Sequence, residues 1–463
     1  MIEDLKPYTE TRDSGLPWLG VIPAHWEIKR NGSLFQQRNA AGEPDWPILE
    51  VSLRTGVRIR EFGSSKRKQV MSDKAKYKCA AKGDFVYNMM RMWQGAAGIA
   101  PVDGLVSPAY VVAKPLPHTN PAYFASLFRT DDYLAEIDAF SRGIVKDRNR
   151  LYWDQFKQIP TPCPPPEEQD AIARFLAWAS NRLDRAIRAK RRIIVLLNEQ
   201  KQAIIHRAVT RGLDPSEPLK DSGIPWLGEI PEHWEVLRAK HLFREEDHRS
   251  EFGTETHLAM SQRLGLVPSS MVQSTLRSQS YAGAKLCSRG DLVLNRLKAH
   301  LGVFAVAKQD GVISPDYTVL RKLNNAHTDY YALILRSPGC RGELRTRAKG
   351  IVEGFWRLYT ADFYDIRLPV PPIEEQHRII EITSRQTGGQ DHGISSLEHE
   401  MELICEYRTR LIADVVTGKL DVREMAKELP EEELQDQPDV AAGYDADEAE
   451  DDAESDLIDT AED

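Results

Sequence analysis

PEEQDAIARFLAWASNRLDRAIRAKRRIIVLLNEQKQAIIHRAVTRG, residues 166–212, has no proline or glycine between its first and last residues. Apolar residues recur along it at alternating spacings of four and three, and only Lys190 and Gln200 interrupt them. The apolar positions are Ile172, Leu176, Ala179, Leu183, Ala186, Ile193, Leu197 and Ile204. So narrow a stripe predicts a coiled-coil helix that packs against a partner helix. At 1.5 Å per residue, roughly 40 residues form a rod of about 60 Å. A long helix inside a globular core is the alternative.

The chain on either side of this helix is an internal repeat. Residues 12–30, RDSGLPWLGVIPAHWEIKR, return at 220–238 as KDSGIPWLGEIPEHWEVLR, with 13 of 19 positions identical. The offset is 208 here and 207 in the later matches, which continue to the ends of both copies. A period near 207 residues is far longer than a solenoid repeat, so we interpret it as a duplicated module.

Each copy runs from this short motif through a variable stretch and a proline cluster into a long helix. The variable stretches mix strand-like and helical runs, which predicts an α/β domain. The strand-like runs are 84–87, 110–113, 291–294 and 317–320, and the helical runs are 123–128 and 330–336. In the second long helix the apolar seam is Leu397, Met401, Ile404, Leu411 and Val415. The three glycines within 387–393 are expected to break or bend this helix.

We therefore divide the chain into five segments. They are a first domain (1–165), a central long helix (166–212), a second domain (213–372), a C-terminal long helix (373–421) and an acidic tail (422–463). The tail has 18 acidic and two basic residues and almost no apolar periodicity, so we expect it to be disordered. Its role stays open between simple solvation and competition with a polyanion for the rest of the chain.

Charge and cysteine usage narrow the classes of partner and compartment. The whole chain carries a formal charge of −9, but residues 1–421 hold 59 basic and 52 acidic residues, which suits a polyanionic partner. Five scattered cysteines without a C-x-x-C pair indicate a reducing cytoplasm and argue against a disulfide framework or a zinc site. The sequence contains no apolar window long enough for a membrane span and no signal-peptide core.

The repeated motifs resemble the DNA-specificity subunit of type I restriction–modification systems. The resemblance rests on the paired S-G-[LI]-P-W-L-G-x-I-P-x-H-W-E motifs and on the paired P-P-x-E-E-Q segments before the long helices. It also rests on VTRGLD at 209–214 and VTGKLD at 416–421, which close those helices, and it covers residues 8–421. The glycine-rich part of the second helix and the acidic tail depart from the family pattern.

The resemblance implies a fold and a set of partners. The fold would be two similar α/β target-recognition domains separated by two long antiparallel coiled-coil helices, in a pseudo-two-fold arrangement. Each domain would read one half of a bipartite, asymmetric DNA site. The helices would dock two methyltransferase subunits, and motor-nuclease restriction subunits would join for cleavage. This chain would be non-catalytic and hold no cofactor, with S-adenosylmethionine, ATP and magnesium bound by the partner subunits.

Candidate DNA contacts are taken from the stretches where the two copies differ most, 31–82 and 239–289. Basic residues neutralise phosphates, and Arg is the commonest reader of guanine. The candidates there are Arg54, Arg58, Arg60, Lys66, Arg67 and Lys68 in the first copy and Gln262, Arg263, Thr275, Arg277 and Ser278 in the second. Shortly after the matched Asn88 and Asn295 come Arg91, Trp93 and Gln94, and Arg296, Lys298 and His300, whose side chains suit groove contacts. A solvated loop is the alternative for each of them.

Two other classes of protein stay open, a stand-alone DNA-modifying enzyme and a coiled-coil scaffold. The segment NPAY at 120–123 resembles the N-P-P-Y loop of amino-methyltransferases, but its second proline is missing and the other copy has HTDY. No glycine-rich cofactor loop and no ATP-binding P-loop motif is present. His25 and His233 lie beside tryptophans in the repeated motif, where packing is a simpler role than metal binding.

Overall fold

The computed structural model describes residues 5–40, 42, 45–60, 76–143, 149–261, 264–272, 281–323, 326–350 and 356–430. The chain divides into two units, 1–189 together with 400–463, and 190–399. Each unit contains one globular domain and part of each long helix. The long helices therefore belong to both units, although the sequence alone suggested a linear series of segments.

The first domain is built from short strands and short helices. Its strands are β1 (Thr11–Asp13), β2 (Val21–Pro23), β3 (Glu27–Arg30), β4 (Phe35–Gln37), β5 (Leu49–Ser52), β6 (Gly56–Ile59), β7 (Lys78–Ala80), β8 (Phe85–Asn88), β9 (Ala97–Ile99), β10 (Gly104–Val106), β11 (Tyr110–Pro115) and β12 (Pro160–Cys163). Its helices are α1 (Pro121–Leu127), α2 (Asp131–Phe140) and α3 (Trp153–Phe156), and the long helix α4 (Pro166–Arg211) follows.

A four-stranded antiparallel sheet in the order β4-β11-β8-β9 forms the centre of this domain. Two-stranded pairs surround it: β1-β2, β3-β12, β5-β6 and β7-β10. Phe35, Phe85, Phe124, Phe128 and Phe156 are fully buried in one aromatic cluster between the sheet and the helices. The pair β3-β12 joins the end of the repeated motif to the proline-rich segment before α4, with Glu27 opposite Cys163.

The second domain has the same topology, strand for strand. Its strands are β13 (Leu219–Asp221), β14 (Glu229–Pro231), β15 (Glu235–Arg238), β16 (Phe243–Glu246), β17 (Leu258–Ser261), β18 (Gly265–Pro268), β19 (Lys285–Cys287), β20 (Leu292–Asn295), β21 (Phe304–Val306), β22 (Gly311–Ile313), β23 (Tyr317–Lys322) and β24 (Arg367–Val370). Its helices are α5 (Thr328–Arg336), α6 (Pro338–Arg347) and α7 (Thr360–Tyr364), followed by α8 (Ile373–Val416) and α9 (Arg423–Glu428). The sheet order β16-β23-β20-β21 and the pairs β13-β14, β15-β24, β17-β18 and β19-β22 repeat those of the first domain.

These elements confirm the prediction of duplicated modules that mix helices and strands. All of the named strand pairs are antiparallel, so each domain has local strand pairing rather than parallel crossover units.

The long helices α4 and α8 pack in opposite directions within each unit. In the first unit, Arg408 Nη1 donates to Asp184 Oδ1 at 2.7 Å, and Leu176 near the start of α4 shares a core cluster with Leu411 near the end of α8. In the second unit, Lys201 pairs with Asp391. The start of one helix thus meets the end of the other, which is the predicted antiparallel pairing.

The predicted seam differs from the structure at one isoleucine. Ile193 is 45% exposed, whereas its neighbour Ile194 is half-buried and Ile187 is buried. Inward positions therefore recur as 183, 194 and 205, a spacing of eleven residues over three turns. A straight α-helix drifts by about 20° per heptad, so a strict four-three pattern that begins at Ile172 selects the wrong residue after about three heptads. Of the other seam residues, Ile172, Leu176 and Leu411 are buried, and Leu183, Leu197, Ile204, Leu397, Met401 and Ile404 are half-buried.

Helix α8 is continuous through its glycine-rich part, so the expected break is wrong. Each glycine costs about 1 kcal/mol relative to alanine, about 3 kcal/mol for the three. Packing of α8 outweighs this cost, since Thr383 and Thr387 are buried and Gly393 lies opposite Leu197. A β-carbon built on Gly393 would lie 3.6 Å from Leu197 Cδ1, an ordinary contact.

Replacing Gly388 and Gly389 with Ala is expected to stabilise α8. A β-carbon at either position meets open space, and alanine gains about 1 kcal/mol over glycine in a helix. Amide hydrogen exchange in α8 should slow by roughly fivefold per substitution. The control is Gly418→Ala, where φ is +78° and a β-carbon would overlap Pro23, so that exchange should accelerate. Faster exchange in the Gly388 and Gly389 variants would contradict the continuous helix.

The beginning of the acidic tail is ordered against the first domain, so the prediction of disorder is wrong for 422–430. Val422 and Ala426 are fully buried in the core of the first unit. Asp421 forms a backbone bridge with Lys6, and Arg423 donates to its carboxylate while lying 5.1 Å from the centre of the Tyr8 ring. Burial would raise the pKa of Asp421, but the hydrogen bonds and charge of Arg423 lower it overall. Residues 431–463 lie outside the described residues.

Candidate nucleic-acid interface

The carboxylate of Glu168 anchors the repeated motif to the start of α4. Its Oε1 accepts hydrogen bonds from the hydroxyl of Tyr8 at 2.5 Å and from Trp26 Nε1 at 3.0 Å, and its Oε2 lies 2.7 Å from His25 Nε2. Glu168 is only 5% exposed. Burial, then the hydrogen bond to Glu168, raises the pKa of Tyr8 far above its ordinary value, so Tyr8 stays a hydrogen-bond donor. The P-P-x-E-E-Q segment therefore joins the domain to the long helix.

Glu375 repeats this arrangement in the second unit with fewer donors. Its Oε2 accepts from Trp234 Nε1 at 3.0 Å and lies 2.8 Å from His233 Nε2. The other ring nitrogen of His233 lies 3.1 Å from Glu217 Oε1. The side chain of Glu375 is 22% exposed. Both histidines of the repeated motif thus bind carboxylates, in agreement with their predicted structural role.

The glutamine that ends each P-P-x-E-E-Q segment joins the proline-rich segment before its own long helix to the residue that precedes a short helix earlier in the chain. Gln169 Nε2 donates to the carbonyl of Pro164 at 2.8 Å, and its Oε1 accepts from the amide of Asn120 at 2.8 Å. Gln376 makes the same pair of bonds, at 2.9 Å each, with Pro371 and His327.

The NPAY segment has capping and packing contacts. The Asn120 side chain accepts from the amide of Ala122 at the start of α1. The buried Tyr123 donates to the carbonyl of Val416 at the end of α8, at 3.0 Å. In the second unit, Tyr330 donates to the carbonyl of Val209 near the end of α4, at 3.1 Å. Each domain is therefore attached to the start of one long helix and the end of the other.

In the part of the chain that the structure describes, no group of three or more His, Cys, Asp or Glu side chains could hold a metal ion. None of the helices described is long and apolar enough to cross a membrane.

The basic candidates of the first domain lie on the hairpin β5-β6. Arg58 Nε donates to Glu50 Oε1 at 2.6 Å, and Arg60 Nε lies 3.9 Å from Glu50 Oε2. Arg54 is exposed in the turn between the strands, where its carbonyl accepts from Arg129. Glu50 therefore offsets part of the positive charge of this hairpin. Lys66, Arg67 and Lys68 lie outside the described residues.

Several candidates of the second domain fall outside the described residues: Gln262, Arg263, Thr275, Arg277 and Ser278. In the sequence, Gln262 and Arg263 fall between the two strands of the hairpin β17-β18, and the other three follow it; this hairpin corresponds to β5-β6. Leu264 in its turn and Met271 just after it are exposed. Arg54 and Arg58 are thus exposed on the hairpin of the first domain, and Leu264 is exposed on that of the second.

The remaining candidates lie on equivalent turns after β8 and β20. The Asn88 Oδ1 atom accepts from the amide of Met90 at 2.9 Å, and Asn295 Oδ1 accepts from the amide of Leu297 at 3.1 Å. Each asparagine therefore shapes a turn, and a short 3₁₀ helix follows, at 92–94 in one domain and 299–301 in the other.

These turns bring Arg91, Trp93 and Gln94 together in the first domain. Trp93 is half-buried and donates to the carbonyl of Met90 at 3.0 Å. Gln94 is exposed and accepts from Arg91 Nε at 2.8 Å. The side chains of Arg91 and Gln94 therefore bind each other at the surface.

The second domain places Lys298 and His300 at the positions of Arg91 and Trp93. Lys298 is exposed, and His300 is half-buried with its ring 5.6 Å from that of Trp356. Burial and, to a smaller extent, the charge of Arg345 lower the pKa of His300, which keeps the ring neutral at physiological pH. Arg296 Nε donates to Thr318 Oγ1 at 2.9 Å, so its side chain is partly engaged by the domain.

No family model matches the sequence. The type I restriction enzyme MjaX specificity subunit of Methanocaldococcus jannaschii is 22% identical over 434 residues, which are 88% of this chain and 96% of that one. Over most of its length, this chain is therefore similar to a type I specificity subunit. The MjaVIII specificity subunit of the same organism is 36% identical over 87 residues, 19% of each chain. A chain solved in work on complex assembly and conformational transition of the type I restriction–modification system shares the fold, with a TM-score of 0.60 and 15% identity over 86% of this chain and 99% of its own.

Sequence reasoning missed a set of exposed residues beside the two turns. The amide of Leu151 donates to the carbonyl of Met89 at 2.9 Å, and the amide of Leu358 donates to that of Arg296 at 3.0 Å. These bonds place a second segment beside each turn. The exposed or half-exposed members of that segment are Arg142, Arg150 and Tyr152 in the first domain and Lys349, Arg357 and Tyr359 in the second. The signal was present, because R-L-Y occurs in both copies with tyrosines that no core position requires.

Proposed function

We propose that this chain is the DNA-specificity subunit of a type I restriction–modification complex, and that each domain reads one half of a bipartite, asymmetric site. The observation that carries the proposal is the pair of equivalent turns after β8 and β20. They are held by the same asparagine and the same glycine C-cap, yet they present different side chains to solvent. Two readers on the same scaffold, with different surfaces, suit two different short sequences.

The long helices supply the proposed contacts with partner subunits. Leu196 on α4 and Leu403 on α8 are equivalent positions in the repeat, and they are 55% and 49% exposed. Val195 and Tyr407 are exposed beside them. An exposed leucine at equivalent positions of the two long helices suits two copies of the same methyltransferase subunit, and motor-nuclease restriction subunits would join that complex for cleavage.

In this proposal the partner subunits carry out methylation and cleavage. S-adenosylmethionine would be bound by the methyltransferase subunits, and ATP and magnesium by the restriction subunits. The contribution of this chain is to place them on a chosen sequence, and the resemblance assigns it no catalytic role. Because its proposed ligand is cellular DNA, we place the complex in the cytoplasm.

The experiment that tests the proposal is a selection from DNA duplexes. The full chain, with and without co-expressed methyltransferase partners, is incubated with a pool of random duplexes, and the bound DNA is sequenced. We expect the complex to enrich two short motifs at a fixed separation. A scaffold without nucleic-acid binding would enrich nothing, and a stand-alone enzyme would modify DNA without any partner. Either result would overturn the proposal.

A further inference from the structure

We propose that each domain carries a divided DNA-contact surface beside its turn. Positions with the same chemistry in both domains hold phosphates, and neighbouring positions that differ read bases. The inference rests on the proposed function and adds the residues that perform it. Its logic is that the two domains meet different bases but the same phosphate backbone. Residues that the two copies share therefore cannot distinguish their half-sites.

In the first domain the shared residues lie close together. Arg142 and Arg150 exchange two backbone hydrogen bonds, at 3.0 and 2.9 Å. The next residue, Leu151, is bonded to the turn that carries Arg91. Arg142, Arg150 and Tyr152 are exposed, and together with the half-buried Arg91 they place three cations and a phenol hydroxyl beside one turn. Guanidinium groups and tyrosine hydroxyls are suited to phosphate oxygens.

The second domain repeats this surface with the same types of residue. Lys349 and Arg357 exchange backbone hydrogen bonds at 3.0 and 2.8 Å, and Leu358 is bonded to the turn that carries Lys298. Tyr359 is exposed like Tyr152. Positive charge therefore recurs at three equivalent positions (91/298, 142/349 and 150/357), and the tyrosine hydroxyl recurs at a fourth (152/359).

The two surfaces differ in their nearby carboxylates. Arg357 Nη2 lies 3.3 Å from Asp316 Oδ1, and Lys349 Nζ lies 2.7 Å from Asp362 Oδ1. The equivalent positions in the first domain are Ala109 and Gln155, which carry no charge. The first domain therefore keeps more of its positive charge for phosphates, and it is expected to contribute more to the salt dependence of binding.

The diverged positions of the same turns carry side chains suited to different base edges. Gln94 is exposed in the first domain, and an amide forms two hydrogen bonds with adenine in the major groove. Its counterpart is the exposed Leu301, and apolar side chains contact the methyl group of thymine. Trp93 and His300 are the adjacent diverged pair, but both are half-buried and so are less suited to substitution.

The test uses the full chain with its methyltransferase partners and duplexes with two randomised windows. Arg150→Gln is expected to weaken binding to all enriched duplexes by roughly fivefold and to reduce the slope of log K against log salt by about 0.9. The preferred bases should stay the same. Asp316→Ala, which copies the first domain, should strengthen binding without changing the motif.

Gln94→Leu and Leu301→Gln form the matched pair for base reading. Each is expected to change the base preference at one or two positions of a single half-site and to leave the salt slope unchanged. All of these positions are exposed or half-exposed, and unchanged circular dichroism would confirm folding. A changed motif in Arg150→Gln, or unchanged motifs in both Gln94→Leu and Leu301→Gln, would overturn the divided surface while the proposed function stands. Failure of the unmodified complex to enrich a bipartite motif would instead overturn the proposed function, and this inference with it.

Discussion

Replacing Glu168 with Ala is expected to destabilise the first unit by about 3 kcal/mol. The substitution removes the acceptor of the Tyr8 hydroxyl and of Trp26 Nε1, and both donors lie in buried surroundings. A buried donor without a partner costs about 1–3 kcal/mol. The N-terminal segment and the repeated motif would lose their bond to α4 together, so we expect the first domain to loosen as a unit.

Amide hydrogen exchange measures this effect, because it reports each unit separately. The expected loss corresponds to exchange that is roughly a hundredfold faster for amides of β8 and β11, with little change in β20 and β23. Glu167→Ala is the control, since Glu167 is exposed in the same helical turn and has the same charge. Glu375→Ala should have a smaller effect in the second unit, because Glu375 accepts from fewer donors and is more exposed. Equal exchange in Glu168→Ala and Glu167→Ala would show that the carboxylate does not anchor the domain.

Exchanging residues 31–150 for the corresponding segment of another specificity subunit is expected to change one half-site completely and to leave the other unchanged. The segment begins after β3 and ends before α3, so the pair β3-β12 stays intact. Tyr8, His25, Trp26 and Glu168 also stay in the chimera. The exchanged segment contains the hairpin β5-β6 and the turn after β8, which carry the candidate contacts of the first domain.

The chimera needs two contacts from the incoming segment. Tyr123 donates to Val416, and Tyr133 bonds to Thr161 at 2.7 Å, so the donor protein should have tyrosine at both positions. Duplex selection with the chimera and its parent is the measurement, and a chimera with an exchanged second domain is the reciprocal control. A chimera in which both half-sites change would contradict independent domains.

Sequence reasoning found the duplicated architecture because the repeat is long and ordered. The matches at an offset near 207 predicted two domains of one topology, and the helix predicted from 166–212 ends one residue earlier, at Arg211. Sequence reasoning was wrong where a local pattern, such as a heptad repeat or glycine helix propensity, was outweighed by tertiary packing. Ile193 was chosen by a strict heptad, and the glycines of 387–393 were weighed without the contacts that α8 makes along its length. In the tail, the many carboxylates masked the helical spacing of Val422, Met425, Ala426 and Leu429, which pack on the first domain.

The candidate contacts could be predicted only in part. The turns after Asn88 and Asn295 were predicted from side chains that suit groove contacts, and their contact with DNA stays a prediction. The anchor between Tyr8 and Glu168 could not be found, since 160 residues separate them and no local pattern links them. The position of Arg150 and Tyr152 beside the turn depends on the Leu151–Met89 hydrogen bond, which no local sequence pattern predicts.

We propose that this one chain directs modification through two separate DNA readers. The most direct measurement is genome-wide methylation mapping in cells that carry the complete complex, compared with cells that lack this chain. The account predicts that the methylated sites share two different short motifs with a gap of fixed length, and that these sites lose methylation without the chain. A single uninterrupted motif, or the same methylation in cells without the chain, would contradict it.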